Sequence, residues 1–142
     1  MRLQAAVLCD AANVREGLLN ILSGGISRAY REELPASLGV VLALLVEVDS
    51  DQLELPHEVT VQINDSDGKL VGRVVGAFQK SPDGELHLEP GEDVLLPTVI
   101  DLRPVATLRY GRHRIRVRID ESDPVFLTLY VLHRDEMRLP RF

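Results

Sequence analysis

The chain has no tryptophan, a single cysteine and few aromatic residues, and it lacks any long hydrophobic run. With only Cys9, no intrachain disulfide can form, which is typical of a reducing compartment. The apolar start closes at Asp10, too early for a signal peptide, and no stretch approaches the roughly 18 apolar residues that span a bilayer. We therefore expect a cytoplasmic protein with no membrane partner.

Positive charge is also scarce, since 16 Lys and Arg face 22 Asp and Glu, for a net charge of −6. Phosphate binding needs a surplus of Lys and Arg, so nucleic acid is not an expected partner. The chain does supply 142 residues, 45% of them hydrophobic, so that Val, Leu and Ile can fill a core. We expect one domain over residues 1–142, with residues 134–142 as a short C-terminal tail.

Seven segments with strand patterns follow one another, separated by turn residues such as Asp67-Gly68, Pro82-Asp83-Gly84, Pro90-Gly91 and Ser122-Asp123-Pro124. The segments are Leu3–Cys9, Leu38–Val48, Glu58–Asn64, Leu70–Gln79, Val94–Leu102, Arg112–Asp120 and Val125–Leu132. Regularly spaced strands with such turns predict an all-β antiparallel sandwich or barrel.

The segment from Asn13 to Glu33 allows two interpretations. Its apolar residues have helical spacing, which predicts a helix capped by Asp10 or Asn13. The alternative is a β-hairpin in which Gly17–Ser23 and Ile26–Tyr30 are joined at Gly24-Gly25, a pair that adopts positive φ at little cost. The local pattern slightly favours the hairpin and leaves Asn13–Ser23 open between helix and strand.

Three stretches carry a resemblance: Leu8-Cys9-Asp10, Gly17-Leu18-Leu19-Asn20-Ile21-Leu22-Ser23-Gly24-Gly25-Ile26, and Tyr110-Gly111-Arg112-His113-Arg114-Ile115-Arg116-Val117. Together they resemble a family of small uncharacterised bacterial proteins, a domain of unknown function expected to be an immunoglobulin-like sandwich. The resemblance implies a strand at Gly17–Ser23 and brings no known activity. His113 stands where the family pattern has an aromatic residue, usually Tyr.

In an immunoglobulin-like fold, the seven strands would be A to G in chain order, and the Gly17–Tyr30 hairpin would be an insertion before Leu38–Val48. Tyr110 would then be placed to form a tyrosine-corner hydrogen bond. The run from Gly39 to Val46 contains no polar side chain, so both faces of its strand need cover. The hairpin, a second copy or a partner protein on a sheet face or edge could each provide that cover. We therefore expect an interaction or scaffold module, with a homodimer or an unidentified protein as partner.

Alternating strand directions place the loops after Val48, Gln79 and Asp120 at one end of the sandwich, where half of the acidic residues gather. A small-ligand or metal-ion-binding domain at this end is the alternative function. Ca²⁺ prefers oxygen ligands, so the first metal candidates are Asp49, Asp51, Asp120 and Asp123, although turn formation alone explains such residues.

A row of arginines occupies one face of the strand Arg112–Asp120. Because arginine forks match carboxylate and phosphate, the row is a candidate anion site, with the members Arg112, Arg114, Arg116 and Arg118. The alternative is a solvated strand face whose arginines pair with acidic or polar groups on neighbouring strands.

Catalytic motifs are missing from the sequence. It contains no Gly-x-Ser-x-Gly, no phosphate-binding glycine loop and no His-Glu-x-x-His, and His57 and His87 have no supporting zinc-ligand spacing. An apolar strand around Cys9 would raise the pKa of its thiol, which opposes a nucleophilic role. We expect neither an enzyme nor a cofactor.

Overall fold

The computed structural model of the chain describes residues 1–79 and 87–137, which form twelve strands and two short 3-10 turns. This confirms the expected all-β class. The strands are β1 (Arg2–Cys9), β2 (Ala11–Arg15), β3 (Leu18–Leu22), β4 (Arg28–Arg31), β5 (Ala36–Ser37), β6 (Val41–Val48), β7 (His57–Asn64), β8 (Leu70–Phe78), β9 (Val94–Asp101), β10 (Ala106–Thr107), β11 (Gly111–Ile119) and β12 (Val125–His133). The 3-10 turns are Ser50–Gln52 and Arg134–Glu136. The expected strand at Leu38–Val48 begins only at Val41, and residues 138–142 of the expected tail lie outside the described residues.

Two main sheets enclose the core. The first has the strand order β1-β6-β9, with antiparallel neighbours throughout. The second has the order β4-β12-β11-β7-β8, in which only β4 and β12 are parallel. The segment expected as strand D is β8, and it pairs with β7 in the second sheet rather than joining β1 and β6. Two smaller pairs, β2-β3 and β5-β10, complete the described strands.

Alternation of apolar and polar residues explains which side chains fill the core. In β11, Ile115, Val117 and Ile119 are almost completely buried, while the intervening arginines face outward. Leu42 and Leu44 of β6 face them from the first sheet, in the same cluster of buried residues. Each such side chain contributes about 1.5–3 kcal/mol when it leaves water, so this shared core holds the two sheets together.

The other face of β6 is covered by the β2-β3 hairpin. Cys9, Val41 and Ala43 form a second buried cluster, and Ala12 and Leu19 of the hairpin pack against it. The chain itself therefore covers both faces of β6 along Val41–Ala43. Of the three covers expected from the sequence, the hairpin is the one that the structure contains.

The expected pairing within this hairpin is wrong. Leu18–Leu22 pairs with the preceding segment Ala11–Arg15. The tight turn between them is Glu16-Gly17, where both residues have positive φ (54° and 73°). Gly24-Gly25 instead leads the chain back to the first sheet, where the N–H of Gly25 donates to the Leu8 carbonyl at 2.9 Å. Arg28–Arg31 then pairs with β12. The helix interpretation of Asn13–Ser23 is excluded, and the strand implied by the family resemblance is confirmed.

Three of the expected turns are confirmed within the described chain. At Pro90-Gly91, the Glu92 N–H donates to the Glu89 carbonyl at 3.0 Å. At Asp67-Gly68, the Asp65 carboxylate accepts hydrogen bonds from the N–H groups of Asp67 and Lys69 at 2.9 and 3.0 Å. At Ser122-Asp123-Pro124, the Ser122 N–H donates to the Ile119 carbonyl at 2.9 Å. The Pro82-Asp83-Gly84 turn lies outside the described residues.

The loop after β6, the start of the loop after β8 and the loop after β11 meet at one end, as strand alternation predicts. Gln79 donates through Nε2 to the Glu54 carbonyl at 3.1 Å, and Asp120 contacts His57. The Tyr110 hydroxyl is 3.4 Å from the Arg31 carbonyl, so it contacts β4 and does not form the expected tyrosine corner with residues just upstream.

Candidate functional site

The arginine row runs along the middle of the larger sheet, because β11 is the third of its five strands. Arg112 and Arg114 are exposed, and Arg116 and Arg118 are partly buried. Their inward-facing neighbour His113 is fully buried, with Nε2 2.7 Å from the Thr107 hydroxyl and Nδ1 3.0 Å from the Gly111 carbonyl. His113 thus anchors β11 on the inner face of the sheet, and the arginines project from the outer face.

No carboxylate lies directly opposite these arginines on the adjacent strands. Arg114 is between Thr128 and Asn64, and Arg116 is between Phe126 and Gln62. Arg112 has Tyr130 opposite on β12, and Arg118 has Thr60 opposite on β7. The neighbours are therefore polar or aromatic, and the arginine charges are not neutralised across the sheet.

Only one member of the row forms an ion pair within the described chain. Arg118 contacts Glu121 at 2.7 Å and donates to the Ser122 carbonyl at 3.2 Å. Among residues 1–79 and 87–137, Arg112, Arg114 and Arg116 have no carboxylate partner. Three guanidinium groups thus remain available to an external anion.

Strand register adds two arginines that the sequence alone does not single out. Arg73 of β8 is opposite Gln62, and Arg28 of β4 is opposite Tyr130, so both share the outer face. They come from segments that are 39 or more positions away from the row, and only the pairing of strands brings them together. We call this surface the arginine face: Arg28, Arg73, Arg112, Arg114, Arg116 and Arg118.

A concave site lies within the arginine face. Its volume is about 670 Å³, and it is lined by Arg112, Arg114, Arg116, Phe126 and the turn between β7 and β8. The Arg114 guanidinium carbon is 3.7 Å from the centroid of the Phe126 ring. Such a cation–π contact holds the guanidinium in place over β12 without consuming its hydrogen-bond donors in an ion pair.

The turn beside this site contributes one carboxylate that is already engaged. Asp65 is largely buried and accepts the two N–H groups of its own turn, and its Oδ2 is 3.8 Å from Nε of Arg109. Arg109 also pairs with Asp67. Arg109 therefore offsets part of the negative charge of the turn, and the three arginines that line the concave site outnumber its one carboxylate, Asp65.

The four aspartates predicted to bind Ca²⁺ have separate roles. Asp49 lies 3.5 Å from the N-terminal ammonium group, Asp51 belongs to the 3-10 turn Ser50–Gln52, and Asp123 is exposed. Both oxygens of Asp120 are engaged, by the Glu58 N–H at 2.8 Å and by Nδ1 of His57 at 2.7 Å. In the described parts of the chain, no group of three or more Asp, Glu, His or Cys is arranged to hold a metal.

Burial and hydrogen bonding have opposite effects on the pKa of Asp120. Burial acts to raise the pKa of Asp120, but the hydrogen bonds from Glu58 and His57 together lower this pKa below its usual value. His57 is 6% exposed, and its Nε2 is 2.8 Å from the Gln52 carbonyl. Both ring nitrogens therefore lie within hydrogen-bond distance of groups of the fold. Nε2 is thus occupied by a main-chain carbonyl and does not face a substrate.

Cys9 is also engaged within the fold. It is completely buried, and its Sγ is 3.4 Å from the Val41 carbonyl. Burial and, to a lesser extent, the charge of Asp10 raise the pKa of the thiol. These surroundings disfavour the thiolate, which is the nucleophilic form.

Apolar side chains remain exposed on the β2-β3 hairpin. The exposed fractions are 46% for Val14, 69% for Leu18, 42% for Ile21 and 65% for Leu22. This surface is the apolar sheet face that remains after the hairpin has covered β6. Within the described chain it carries no charged row comparable to the arginine face.

Comparison with known proteins gives a family and no activity. Residues 4–132 match the family of unknown function DUF6941. No curated protein and no solved structure matches the chain. In addition, none of the described helices is long and apolar enough to cross a membrane.

Proposed function

We propose that this chain, which belongs to the DUF6941 family of unknown function, is a non-enzymatic interaction module. The family membership itself supplies no activity. The arginine face of the chain binds an acidic segment of a partner protein. The sequence predicts an apolar sheet face or edge as the interaction surface, but the hairpin covers that face along Val41–Ala43 of β6. The unpaired arginines carry the proposal in its place.

We further propose that the fold is immunoglobulin-like. The order β1-β6-β9 corresponds to strands A, B and E, and the order β4-β12-β11-β7-β8 corresponds to A′, G, F, C and C′. The β2-β3 hairpin is then an insertion between A and A′. The free thiol of Cys9 supports a reducing compartment, and we propose the cytoplasm.

Side-chain spacing supports an extended acidic segment as the ligand. Arginines on alternate residues of β11 repeat about every 6.7 Å, and alternate side chains of an extended peptide have the same repeat. Arginine forks also bind carboxylates through two parallel hydrogen bonds. A strand with acidic residues at every second position therefore presents carboxylates with the same repeat as the arginines.

Charge and ring geometry favour this ligand over nucleic acid. The net charge of −6 repels a long polyanion from most of the surface. The Phe126 ring is already covered by the Arg114 guanidinium, so that face of the ring is not available for base stacking.

Binding of short oligoglutamate, followed by calorimetry at low and moderate salt, tests the proposal. We expect R112Q/R116Q to weaken binding by at least about tenfold, because both side chains line the concave site. The control R15Q/R103Q removes the same charge from surfaces away from the site, and its effect should stay below about twofold. Equal effects of the two pairs, absent binding, or preferential binding of inorganic phosphate or single-stranded DNA would refute an acidic polypeptide as ligand.

A further inference from the structure

The strand β12 has a partly uncovered edge. It contains nine residues, but β4 pairs only with the last four, Tyr130–His133. On this side no other strand of the described chain pairs with Val125–Leu129, which we call the free edge. An uncovered strand of this length is a template for another chain.

The main-chain groups of the free edge point toward solvent at alternate residues. The N–H of Tyr130 donates to the Ser27 carbonyl at 2.9 Å on this side of the sheet. Because every second residue of a strand directs its N–H and C=O to the same edge, Phe126 and Thr128 direct theirs to this side too. These two residues therefore offer two donors and two acceptors to an added strand.

An opening between the two sheets lies beneath the free edge. Val125 faces inward opposite Val117, yet Val125 is 37% exposed while Val117 is 1% exposed. The opening has a volume of about 510 Å³, and its lining combines the apolar Leu3, Val117, Ile119 and Val125 with polar and charged residues that include Arg2, Glu121, Ser122 and Asp123. Side chains on the inner face of an added strand would fill this opening.

The arginine face extends toward the position that an added strand would occupy beside β12. The Arg114 guanidinium packs on the ring of Phe126, a residue of the free edge itself. Arg28 begins β4, which occupies the same edge beyond Leu129. The outer side chains of an added strand would therefore meet cations, while its inner side chains would meet the apolar residues of the opening, such as Val117 and Val125.

From this arrangement we infer that the acidic segment binds by β-augmentation along Val125–Leu129, with acidic residues outward and apolar residues inward. The inference rests on the proposed function, since it specifies how the same acidic ligand is held. It names the ligand class as an extended peptide that alternates acidic and apolar residues.

Peptides of about six residues provide the test, since this length covers the free edge. One probe alternates Glu and Val, and a second has the same composition with all Glu preceding all Val. Two further probes carry the alternating sequence with N-methyl groups on either the Glu or the Val amides. We expect the alternating peptide to bind at least about tenfold more tightly than the block peptide. Only one of the two N-methylated peptides should lose binding, because only alternate amides face β12.

Amide hydrogen exchange provides an independent readout on the protein. The alternating peptide should slow exchange at Phe126 and Thr128, whose amides face the free edge. If alternating and block peptides bind equally and R112Q/R116Q still weakens both, β-augmentation is overturned while the anion-binding function stands. If no peptide binds, the proposed function fails and this inference with it. Protection of the two amides without peptide, in a dimer seen by light scattering, would make a second copy the occupant and also overturn the inference.

Discussion

The Asp120 carboxylate connects the loop after β11 to the start of β7, next to the loop after β6, and its removal should measurably destabilise the protein. It accepts hydrogen bonds from the Glu58 N–H at 2.8 Å and from His57 at 2.7 Å. Hydrogen bonds to charged groups contribute about 1.5–3 kcal/mol each, and the 34% exposure of the Asp120 side chain argues for the lower values. We expect Asp120→Gly to lower the free energy of unfolding by about 2–3 kcal/mol. Glycine is chosen because Asp120 has a φ of 46°, which would strain alanine.

Asp120→Asn separates the charge from the hydrogen bonds. Its side-chain oxygen can still accept from Glu58, and its amide can donate to Nδ1 of a neutral His57 ring that donates from Nε2 to Gln52. The hydrogen-bond count is then preserved without the ion pair. We therefore expect a smaller loss, about 1 kcal/mol at pH 7.

The dependence on pH follows from the lowered pKa of folded Asp120. A carboxyl group with a depressed folded pKa contributes stability above its unfolded pKa, about 3.9, and loses that contribution as the pH falls through the folded value. The difference in stability between the wild type and Asp120→Asn should therefore narrow below about pH 4.

Urea unfolding from pH 3 to pH 7 measures both effects, with Asp123→Gly as the matched control. Asp123 lies in the same loop, is exposed and makes no hydrogen bond within the described residues. If Asp120→Gly costs no more than Asp123→Gly, or if the difference for Asp120→Asn is constant with pH, the pair does not stabilise the loops as argued.

Three further predictions concern the hairpin, a glycine and the thiol. Leu19→Ala should cost about 1–2 kcal/mol in urea unfolding because Leu19 packs on the covered face of β6, whereas Leu18→Ala, at a 69% exposed position, should change stability by less than about 0.5 kcal/mol. Equal costs would contradict hairpin docking. Gly39→Ala should cost more than about 2 kcal/mol in the same assay, since Gly39 has a φ of 67° and an added Cβ would overlap the Arg31 guanidinium. An unchanged midpoint would rule out that overlap. Cys9 should react with a thiol reagent at least about 100-fold more slowly in the folded protein than in urea, and comparable rates would show that the thiol is accessible.

The strands could largely be predicted from the sequence because their signals are local. Alternation in β11 and the turn residues Asp67-Gly68 depend on neighbouring residues alone, and the structure confirms both. The pairing of the hairpin depends instead on competition between two turns. Glu16-Gly17 forms the turn of the hairpin. Gly24-Gly25 instead lies beside the first sheet, where the Gly25 N–H donates to the Leu8 carbonyl. The tendency of glycine pairs to form tight turns is a local signal, so it could not reveal this contact with Leu8.

The candidate site was predictable only in part for the same reason. The outward direction of Arg112, Arg114 and Arg116 follows from strand period. The absence of acidic partners opposite them, and the addition of Arg28 and Arg73, follow from which strands are neighbours. Asp120 and His57 are 63 positions apart, so no local pattern indicates their pairing.

The arginine face should make the protein less stable than it could be. Adjacent arginines about 6.7 Å apart repel by about 0.6 kcal/mol in water and by more where the surroundings are less polar. Arg112 and Arg116 have no ion pair to lose within the described chain, so R112Q/R116Q should leave the free energy of unfolding unchanged or raise it by up to about 1 kcal/mol. Urea unfolding measures this beside the oligoglutamate titration. A loss above about 1 kcal/mol would show that these arginines stabilise the sheet, and a structural role would then explain their presence without any ligand. A gain in stability together with lost binding would instead mean that the mutually repelling arginines serve ligand binding at a cost in stability.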